Sequence, residues 1–354
     1  MTSPAATGIT QPALSDQLAQ LMAQVAGYVG HRTIAIGLRT GLIPALAGAP
    51  GATPDQLAAS LRLDQLYTAV WCRAALAAAI LDRHGEGYRL APHMATLLLD
   101  DTSHAFVGGN FTVLEQPEVF SHFEARFATG QRTWWDQTSP DWITGVAGTG
   151  AGFYSRLIPG GLAHVPGLTG HLHAGCRVID TACGAGTGLM RLASTYPNCQ
   201  ITGVDGDARS IELARARLRQ SGMTERVQLV CSALEDMTLD DPATLVINNI
   251  SMHECRDIDQ VTANIKASLQ PGGWFVISDF PFPSTDDELR TPAGRIMSGI
   301  QFFEAQIGDQ LLPRAAYDSL LARHGFTDIG SHRLTPMHCP HLRAQSPVTL
   351  TRPR

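Results

Sequence analysis

A regular alternation of short apolar segments and longer polar ones constrains the C-terminal half of the chain more than any other feature. Five segments are short, apolar and often β-branched: residues 177–180, 200–204, 227–230, 244–248 and 274–279. Segments with helical character lie between them, for example residues 210–219 and 258–269. Continuously apolar strands that alternate with helices are typical of a parallel sheet covered on both faces. The pattern predicts an α/β fold with a Rossmann-like sheet over residues 171–354.

The N-terminal half has a different character. We divide it into a disordered tail (residues 1–12), a mostly helical region (13–105) and a helical and loop connector that contributes to a substrate pocket (106–170). Thr53-Pro54-Asp55-Gln56 is a good helix start, because it offers a Thr cap, Pro at the first helical position and Gln for a capping box. A second helix is predicted over residues 64–81, followed by a turn at 84–87 and an extended segment. This order predicts a winged-helix-like domain.

The first helices also predict an assembly. Apolar side chains between Ser15 and Leu46 are spread over more than one helical face; they include Leu18, Leu21, Met22, Val25, Ile34 and Ile36. A helix that is apolar on several sides needs partners on several sides. We therefore expect a homodimer through the winged-helix-like region.

Charge and composition weigh against several classes of partner. The 354 residues carry a formal net charge of −6, which removes the electrostatic argument for nucleic-acid binding. The first residues lack a basic stretch followed by an apolar one, and no apolar run reaches the roughly 20 residues that a bilayer crossing needs. The seven cysteines are scattered, without a CxxC pair. We expect a cytoplasmic protein with no membrane and no nucleic-acid partner.

The strongest motif runs from Val178 to Gly188, where a predicted strand ends at Asp180 and a glycine-rich turn leads into a helix. Glycines allow the backbone to approach a ligand closely. The dinucleotide pattern G-x-G-x-x-G fails, because Leu189 stands at its third glycine. A carboxylate at Asp180 is unfavourable beside a pyrophosphate and would suit a ligand that carries positive charge.

Three further segments follow predicted strands. Asp205 ends the second strand 25 residues after Asp180, where an acid can accept hydrogen bonds from ribose hydroxyls. The loop at 231–236 follows the third strand and would place Leu234 against an adenine ring. His253 lies just past the fourth strand, at the edge of the sheet where ligands bind, and a neutral imidazole can take a proton from a hydroxyl or amine near pH 7.

Residues 176–280 resemble the class I S-adenosyl-L-methionine (SAM)-dependent methyltransferases, and the whole chain resembles small-molecule O-methyltransferases of the acetylserotonin and caffeate type. The family's D-x-G-x-G-x-G loop matches Asp180, Ala182, Gly184 and Gly186, its ribose acid matches Asp205, and its L-H-D-W stretch matches residues 252–255. The resemblance implies SAM as cofactor, His253 as catalytic base and an N-terminal dimerisation domain that partly covers the partner's substrate pocket. SAM carries a sulfonium and an amino group, in agreement with a carboxylate at Asp180.

Together, these observations give three groups of expected site residues. The catalytic residues are His253 and Glu254. The cofactor-binding residues are Asp180, Cys183, Gly184, Gly186, Asp205, Gly206, Ala233, Leu234, Asn248 and Asn249. The substrate-pocket residues are Phe111, Trp135, Phe153, Tyr154, Met252, Met297 and Phe302.

Some positions depart from the family pattern. Ala233 stands where an Asp often binds the adenine amino group, so Glu235 or Asp236 would have to substitute, and Cys255 replaces the usual Trp. The late G-x-x-R-T motif is not evident. The sequence from His338 to His341 contains three potential metal ligands in an unusual spacing, and we interpret it as a surface loop and expect no metal.

Methyl transfer to a hydroxyl of a small, aromatic, secondary-metabolite-like molecule is the favoured function. N-methylation of a small molecule and a non-methylating cyclisation or rearrangement on a SAM fold remain open alternatives. A ligand-sensing winged-helix transcription regulator is disfavoured, because Arg73 is the only basic side chain of the helix predicted over residues 64–81.

Overall fold

The computed structural model describes residues 12–338 and the backbone of residues 341–345. The chain forms two compact units, of which the first ends at Ala95 and the second begins at Thr96. The predicted tail, except for Pro12, lies outside the described residues. None of the helices in the described part of the chain combines the length and the apolar character that a bilayer crossing requires.

The first unit consists of helices followed by a hairpin. The helices are α1 (Leu14–Arg39), α2 (Leu42–Gly48), α3 (Pro54–Leu61) and α4 (Gln65–Ala77), and the strands are β1 (Leu81–His84) and β2 (Gly87–Leu90). The two strands pair antiparallel, with Leu81 opposite Leu90. Helix α5 (Met94–Leu99) follows at the boundary of the two units. The predicted order of two helices and a hairpin is present.

Local sequence sets the ends of α3 and α4. Thr53 Oγ1 accepts a hydrogen bond from Gln56 N, and Gln56 Oε1 accepts one from Thr53 N at 2.9 Å, which confirms the predicted capping box. The prediction of a helix through residue 81 was wrong, because α4 ends at Ala77 and Ala79 takes a left-handed conformation with φ 56°. A left-handed residue ends a helix, and the buried Leu81 that follows is the first residue of β1.

The second unit contains the large sheet. Its strands are β3 (Arg177–Thr181), β4 (Gln200–Asp205), β5 (Val227–Cys231), β6 (Ala243–Asn249), β7 (Leu269–Ser278) and β8 (His341–Gln345). Helices α6 (Gly108–Val113), α7 (Ser121–Arg126), α8 (Pro140–Arg156) and α9 (Leu168–Ala174) precede the sheet. Helices α10 (Thr187–Thr195), α11 (Ala208–Gln220), α12 (Ile258–Ala267), α13 (Asp286–Arg290), α14 (Pro292–Ile307) and α15 (Arg314–Arg323) lie between or after the strands.

The strand order is β5-β4-β3-β6-β7-β8, and the first five strands are parallel. All five predicted strands are present, although β7 begins at Leu269 and includes Pro271 and both glycines after it. Strand β8 was not expected from the sequence; it pairs antiparallel with β7 at one edge. Helices pack on both faces of the sheet in two apolar clusters. The predicted Rossmann-like α/β class is confirmed.

Candidate active site

The order of the strands reverses between β3 and β6. The chain passes from β3 to β4 on one side and from β6 to β7 on the other, so the connections after β3 and β6 leave in opposite directions. In open parallel sheets, ligands bind in the crevice at this point. Asp205 ends β4, Asn249 ends β6, and Asp279 directly follows β7. Polar side chains from three strands are therefore gathered at one edge.

The glycine-rich turn after β3 is held in place by the carboxylate of Asp205. Gly184 N–H donates to Asp205 Oδ2 at 2.7 Å, and Asp207 N–H donates to Asp205 Oδ1 at 2.8 Å. Gly184 has a φ of 53°, and a Cβ added there would meet no atom within 4 Å, so its backbone faces open space. Burial raises the pKa of Asp205 to about 6, although the two N–H donors act against it. Each carboxylate oxygen keeps a lone pair that can accept a ligand hydroxyl.

This turn forms one wall of a cavity of about 290 Å³, which we call the glycine-turn cavity. Seven of the ten expected cofactor residues line it: Cys183, Gly184, Asp205, Gly206, Ala233, Leu234 and Asn249. Glu235 and Asp236 are the two acids that could take the place of the usual Asp at position 233. Glu235 lines the cavity, whereas Asp236 does not. The sequence-based set therefore comes together around one cavity.

The other three expected cofactor residues lie behind this lining. Asp180 is fully buried, and Tyr154 donates its hydroxyl to the Asp180 carboxylate at 2.9–3.0 Å. Burial raises the pKa of Asp180 to about 8, and the hydrogen bond from Tyr154 acts against this rise. Asp180 is therefore not part of the cavity lining, and its expected contact with a cationic ligand group stays a prediction. Asn248 Nδ2 donates a hydrogen bond to Thr181 Oγ1. A Cβ on Gly186 would lie 3.0 Å from Ala214 Cβ, so Gly186 is close to Ala214.

Asn249 ends a chain of hydrogen bonds that crosses the second unit. Ser278 Oγ donates to Asn249 Oδ1 at 2.6 Å and lies 2.7 Å from His338 Nε2, and Arg156 Nε donates to His338 Nδ1 at 3.3 Å. Because Nδ1 accepts, the Nε2 proton of His338 is directed at Ser278. Asn249 Nδ2 is buried and has no partner among the described residues, so it remains available as a donor.

The interpretation of residues 338–341 as a surface loop was wrong for His338, which is fully buried in that hydrogen-bonded chain. Burial lowers its pKa well below the usual value, and the nearby charge of Arg156 adds to the effect. Cys339 and Pro340 lie outside the described residues, and His341 begins β8.

His253 is buried and is held by a carboxylate from the neighbouring strand. Its Nδ1 lies 2.8 Å from Asp279 Oδ2, and the Tyr317 hydroxyl donates to the same oxygen at 2.5 Å. Phe280 N–H donates to the other oxygen, Asp279 Oδ1, at 2.8 Å. With three donors on one carboxylate, the imidazole is fixed in orientation, and its Nε2 is the nitrogen left for other groups.

Two more carboxylates lie near His253 Nε2. Glu304 Oε1 is 3.7 Å away and Glu254 Oε1 is 3.9 Å away. Burial alone would lower the pKa of His253, but the charges of Asp279 and Glu304 raise it well above 6.5. Burial and the charge of Glu304 raise the pKa of Glu254 well above its usual value. The charges around His253 thus favour the protonated imidazole, and the surroundings of Glu254 favour the protonated carboxyl group.

These groups face a second cavity of about 70 Å³, which we call the histidine cavity. Most of its lining is apolar: Val113, Leu114, Val119, Trp135, Trp142, Val146, Ile250, Phe280, Ile296, Ile300 and Phe303. The polar lining consists of Asn110, Thr149, His253, Glu254 and Glu304. Trp135, Val146, Ile250 and Glu254 line both this cavity and the glycine-turn cavity, so the two adjoin.

A third cavity, of about 340 Å³, lies on the other side of Asn110, Thr149 and Ile296. We call it the arginine cavity, because Arg156 lines it. Residues of α6 and α8 line part of it. The two helices approach closely there, because a Cβ on Gly109 would lie 2.4 Å from the carbonyl carbon of Gly148. That close crossing is possible only for glycine, and it brings Asn110 and Thr149 beside both cavities.

The expected substrate-pocket residues are divided among different places. Trp135 lines the histidine cavity, Tyr154 the glycine-turn cavity and Phe153 the arginine cavity. Met252 and Met297 are buried in apolar clusters, and Phe302 packs on Phe120 and Phe123 at the surface. With Phe111, these three are absent from the lining of the three cavities just described. Their assignment to the pocket is therefore not supported by their positions.

Sequence reasoning missed Asp279, Tyr317 and Glu304. Asp279 follows the carboxyl end of β7, so the rule that identified His253 could also have found it. Glu304 lies in the middle of α14 among apolar residues, and Tyr317 lies on α15. Nothing in the local sequence distinguishes these two from other helical residues.

Comparisons with known proteins agree with this geometry. Residues 172–314 match a family model described as a methyltransferase domain. A carboxy-S-adenosyl-L-methionine synthase from Citrifermentans bemidjiense is 31% identical over 113 residues, which are 31% of this chain and 46% of that protein. A malonyl-[acyl-carrier protein] O-methyltransferase from Priestia megaterium is 25% identical over 103 residues, 29% of this chain and 36% of that protein. The chain thus spans less than half the length of these curated relatives.

Solved structures resemble the chain over nearly its whole length. A putative O-methyltransferase from Nostoc punctiforme has a TM-score of 0.72 at 19% identity and covers 95% of this chain and 100% of its own. Human N-acetylserotonin methyltransferase in complex with SAM has a TM-score of 0.67 at 16% identity and covers 97% and 100%. At such identities the likeness concerns the fold. Residues 172–314 therefore match a methyltransferase domain, and the fold of the chain resembles that of these O-methyltransferases over nearly its whole length.

Proposed function

We propose that the protein is a SAM-dependent methyltransferase that methylates a hydroxyl group of a small aromatic acceptor, with His253 as general base. The observation that carries the proposal is the pair of adjoining cavities. One is walled by the glycine-rich turn and Asp205, and the other is apolar and contains the imidazole of His253. Because Glu254 and Trp135 line both, ligands in the two cavities would be neighbours.

The residues of the glycine-turn cavity fit SAM. Asp205 offers acceptors for ribose hydroxyls, Leu234 offers an apolar surface for adenine, and Asn249 Nδ2 is a buried donor without a partner among the described residues. SAM supplies an electrophilic methyl group on a sulfonium. Alignment of that group with an acceptor oxygen supplies much of the rate in such a reaction.

His253 would take the acceptor proton through Nε2. Its Nδ1 is occupied by Asp279, which orients the ring and stabilises the imidazolium that forms. Since the pKa of His253 is raised, Nε2 must first lose its resting proton before it can act as base. Activity should therefore rise with pH through that pKa. Glu254, which lines both cavities, would contact the acceptor beside the base.

An aromatic acceptor fits the rings that line the histidine cavity. The Trp142 and Phe303 ring centroids are 4.2 Å apart, and Trp135 lies 5.2 Å from Phe303. Flat apolar surfaces of this kind suit ring stacking. Mass spectrometry of candidate phenols after incubation with SAM tests the proposal. Gain of one methyl on oxygen supports it, while methylated nitrogen or an unmethylated isomer would favour the alternative chemistries.

We also propose that the protein is a homodimer through its first unit. Helix α1 carries a row of apolar side chains that are more than half exposed in the single chain: Leu14, Leu18, Leu21, Met22, Val25, Tyr28 and Val29. On α4, Leu66 and Tyr67 are exposed to a similar degree. An apolar surface of this extent is typical of a protein–protein interface.

A further inference from the structure

Glu304 is a buried carboxylate without a full set of partners. It is 3% exposed and lines the histidine cavity, and its Oε2 has no hydrogen-bond partner among the described residues. Its Oε1 lies 3.7 Å from His253 Nε2, beyond hydrogen-bond length. A buried charge with an unsatisfied oxygen is costly, unless a ligand supplies the missing donor.

The charges that face the histidine cavity leave an excess of negative charge. His253 and Asp279 form a neutral pair when both are ionised, with the Tyr317 hydroxyl donating to Asp279. The Glu304 carboxylate then remains on the cavity side, whereas burial and the charges of Glu304 and Asp309 raise the pKa of Glu254 and favour its neutral form. The guanidinium of Arg256 stacks 3.8 Å over the Trp134 ring and is not part of the cavity lining.

We propose that the acceptor carries a protonated amine, which pairs with Glu304 in the histidine cavity while the hydroxyl group to be methylated meets His253. This rests on the proposed function and names its substrate class, an aromatic hydroxy-amine. The rings of Trp135, Trp142 and Phe303 line the same cavity, and aromatic faces attract organic cations as well as aromatic rings.

A divalent metal is the competing occupant. His253, Glu254 and Glu304 place one ligand atom each within 4.8 Å of one another. Ligand atoms that bind one ion at 2.0–2.2 Å lie about 3–3.5 Å apart, but Nε2 is 3.7 and 3.9 Å from the two carboxylates. The largely apolar lining also offers little to the water shell of a metal. The geometry therefore favours the amine.

Amine binding would also activate the base. An ammonium group beside Glu304 would offset one of the two charges that raise the pKa of His253, so that pKa falls and the Nε2 proton leaves to solvent at a lower pH. In the reaction, the acceptor oxygen bonds to the methyl carbon as the carbon–sulfur bond breaks and its electron pair stays on sulfur. The hydroxyl proton passes to the free Nε2. The acceptor thus prepares its own general base.

Binding to protein saturated with S-adenosylhomocysteine tests this proposal without any turnover. The probes are matched pairs, 3-hydroxybenzylamine with 3-hydroxybenzyl alcohol and tyramine with tyrosol, titrated by calorimetry. We expect each amine to bind wild-type protein at least about tenfold tighter than its alcohol, as one charge-assisted hydrogen bond provides. Amine binding should also release protons, seen as a difference in heat between phosphate and MOPS buffers.

Two variants locate the effect. Glu304→Gln should lose the amine preference. Glu118→Gln is the matched control, since Glu118 is 3% exposed and also has an unpartnered oxygen, Oε2, but does not line the cavities described above. It should keep the preference. Melting temperature and S-adenosylhomocysteine affinity show whether each variant is folded.

The outcomes separate this inference from the proposed function. No amine preference, no detectable amine binding, or a preference that survives in Glu304→Gln would overturn the inference while S-adenosylhomocysteine still binds. Stabilisation by Mn²⁺ or Zn²⁺ in wild type, lost in Glu304→Gln, would overturn it in favour of a metal site. Failure of the wild-type protein to bind S-adenosylhomocysteine would instead overturn the proposed function.

Discussion

The glycine-turn cavity and the histidine cavity lie side by side but are built in different ways. About half of the lining of the first comes from the turns after β3, β4 and β5, which contribute several small residues. The second is lined by large side chains from α6, α8, α14 and the segment after β6, with buried carboxylates around one imidazole. A wall formed by backbone turns changes little when one side chain is altered. A cavity built from side chains can accept a different molecule after few substitutions.

This difference implies a division of labour that mutations can separate. Residues of the glycine-turn cavity should govern affinity for SAM, and residues of the histidine cavity should govern proton transfer and the choice of acceptor. A substitution in one cavity that altered SAM affinity and proton transfer equally would contradict this separation.

The largest effect is expected for His253→Ala. Loss of the base should lower kcat by about 10² to 10⁴-fold, the usual contribution of proton transfer. SAM affinity, measured by calorimetry, should stay within about threefold of wild type, because His253 lines only the histidine cavity of the two. Full activity would show that the imidazole has a packing role only, and a parallel loss of SAM binding would contradict the separation.

Asp205→Ala is the corresponding substitution in the glycine-turn cavity. It removes the acceptor of the Gly184 and Asp207 N–H groups as well as the proposed ribose contact. Hydrogen bonds to charged groups contribute about 1.5–3 kcal/mol, so SAM should bind about 10- to 100-fold more weakly. The kcat at saturating SAM should fall less than in His253→Ala. Unchanged SAM affinity in the folded variant would exclude Asp205 from the cofactor site.

The pH profile sharpens the comparison. Because Asp279 and Glu304 raise the pKa of His253, log kcat/KM should rise with pH, with its midpoint above 6.5. Asp279→Asn removes one of those charges, so the midpoint should move to lower pH by about one unit or more. Tyr317→Phe, which keeps the charge and removes only a hydrogen bond, serves as the control and should move it less. A profile that is flat in wild type would argue against a titrating base.

Substitutions in the first unit are expected to have the smallest effect on SAM affinity and on turnover. Leu21→Glu should place a charge in the proposed dimer interface on α1, where Leu21 is 60% exposed in the single chain. Light scattering should then report monomers at concentrations where wild type is dimeric. The matched change Arg62→Glu, on a residue after α3, should not. A wild-type monomer at micromolar concentration would contradict the homodimer.

The two cavities also differ in how far sequence could predict them. The glycine-turn cavity depends on residues that directly follow strands, so strand pattern and turn chemistry could bring Gly184, Asp205 and Leu234 together. All three line this cavity, and their contacts with a cofactor stay a prediction. Asp180 lies behind the lining, where Tyr154, 26 residues earlier, donates its hydroxyl to the Asp180 carboxylate, and no local signal in the sequence shows this contact. Distant residues determine such packing.

The histidine cavity was predicted only in part. His253 was found from its place after β6, but Glu304 reaches it from α14, 51 residues later, through tertiary packing. Met252 and Met297 were assigned to the pocket and instead lie in the core. Apolar residues of a core and of an apolar pocket have the same pattern along a helix, so hydrophobicity alone does not separate them.

Transfer of a labelled methyl group tests the central claim most directly. The protein is incubated with SAM that carries a deuterated methyl group and with aromatic hydroxy-amine acceptors, and the products are analysed by mass spectrometry with fragmentation. The account predicts one CD₃ group on the acceptor oxygen, with wild-type yield in Glu118→Gln and a greatly reduced yield in His253→Ala. Label on nitrogen, or an unlabelled isomer of the acceptor formed at the same rate in both variants, would contradict it.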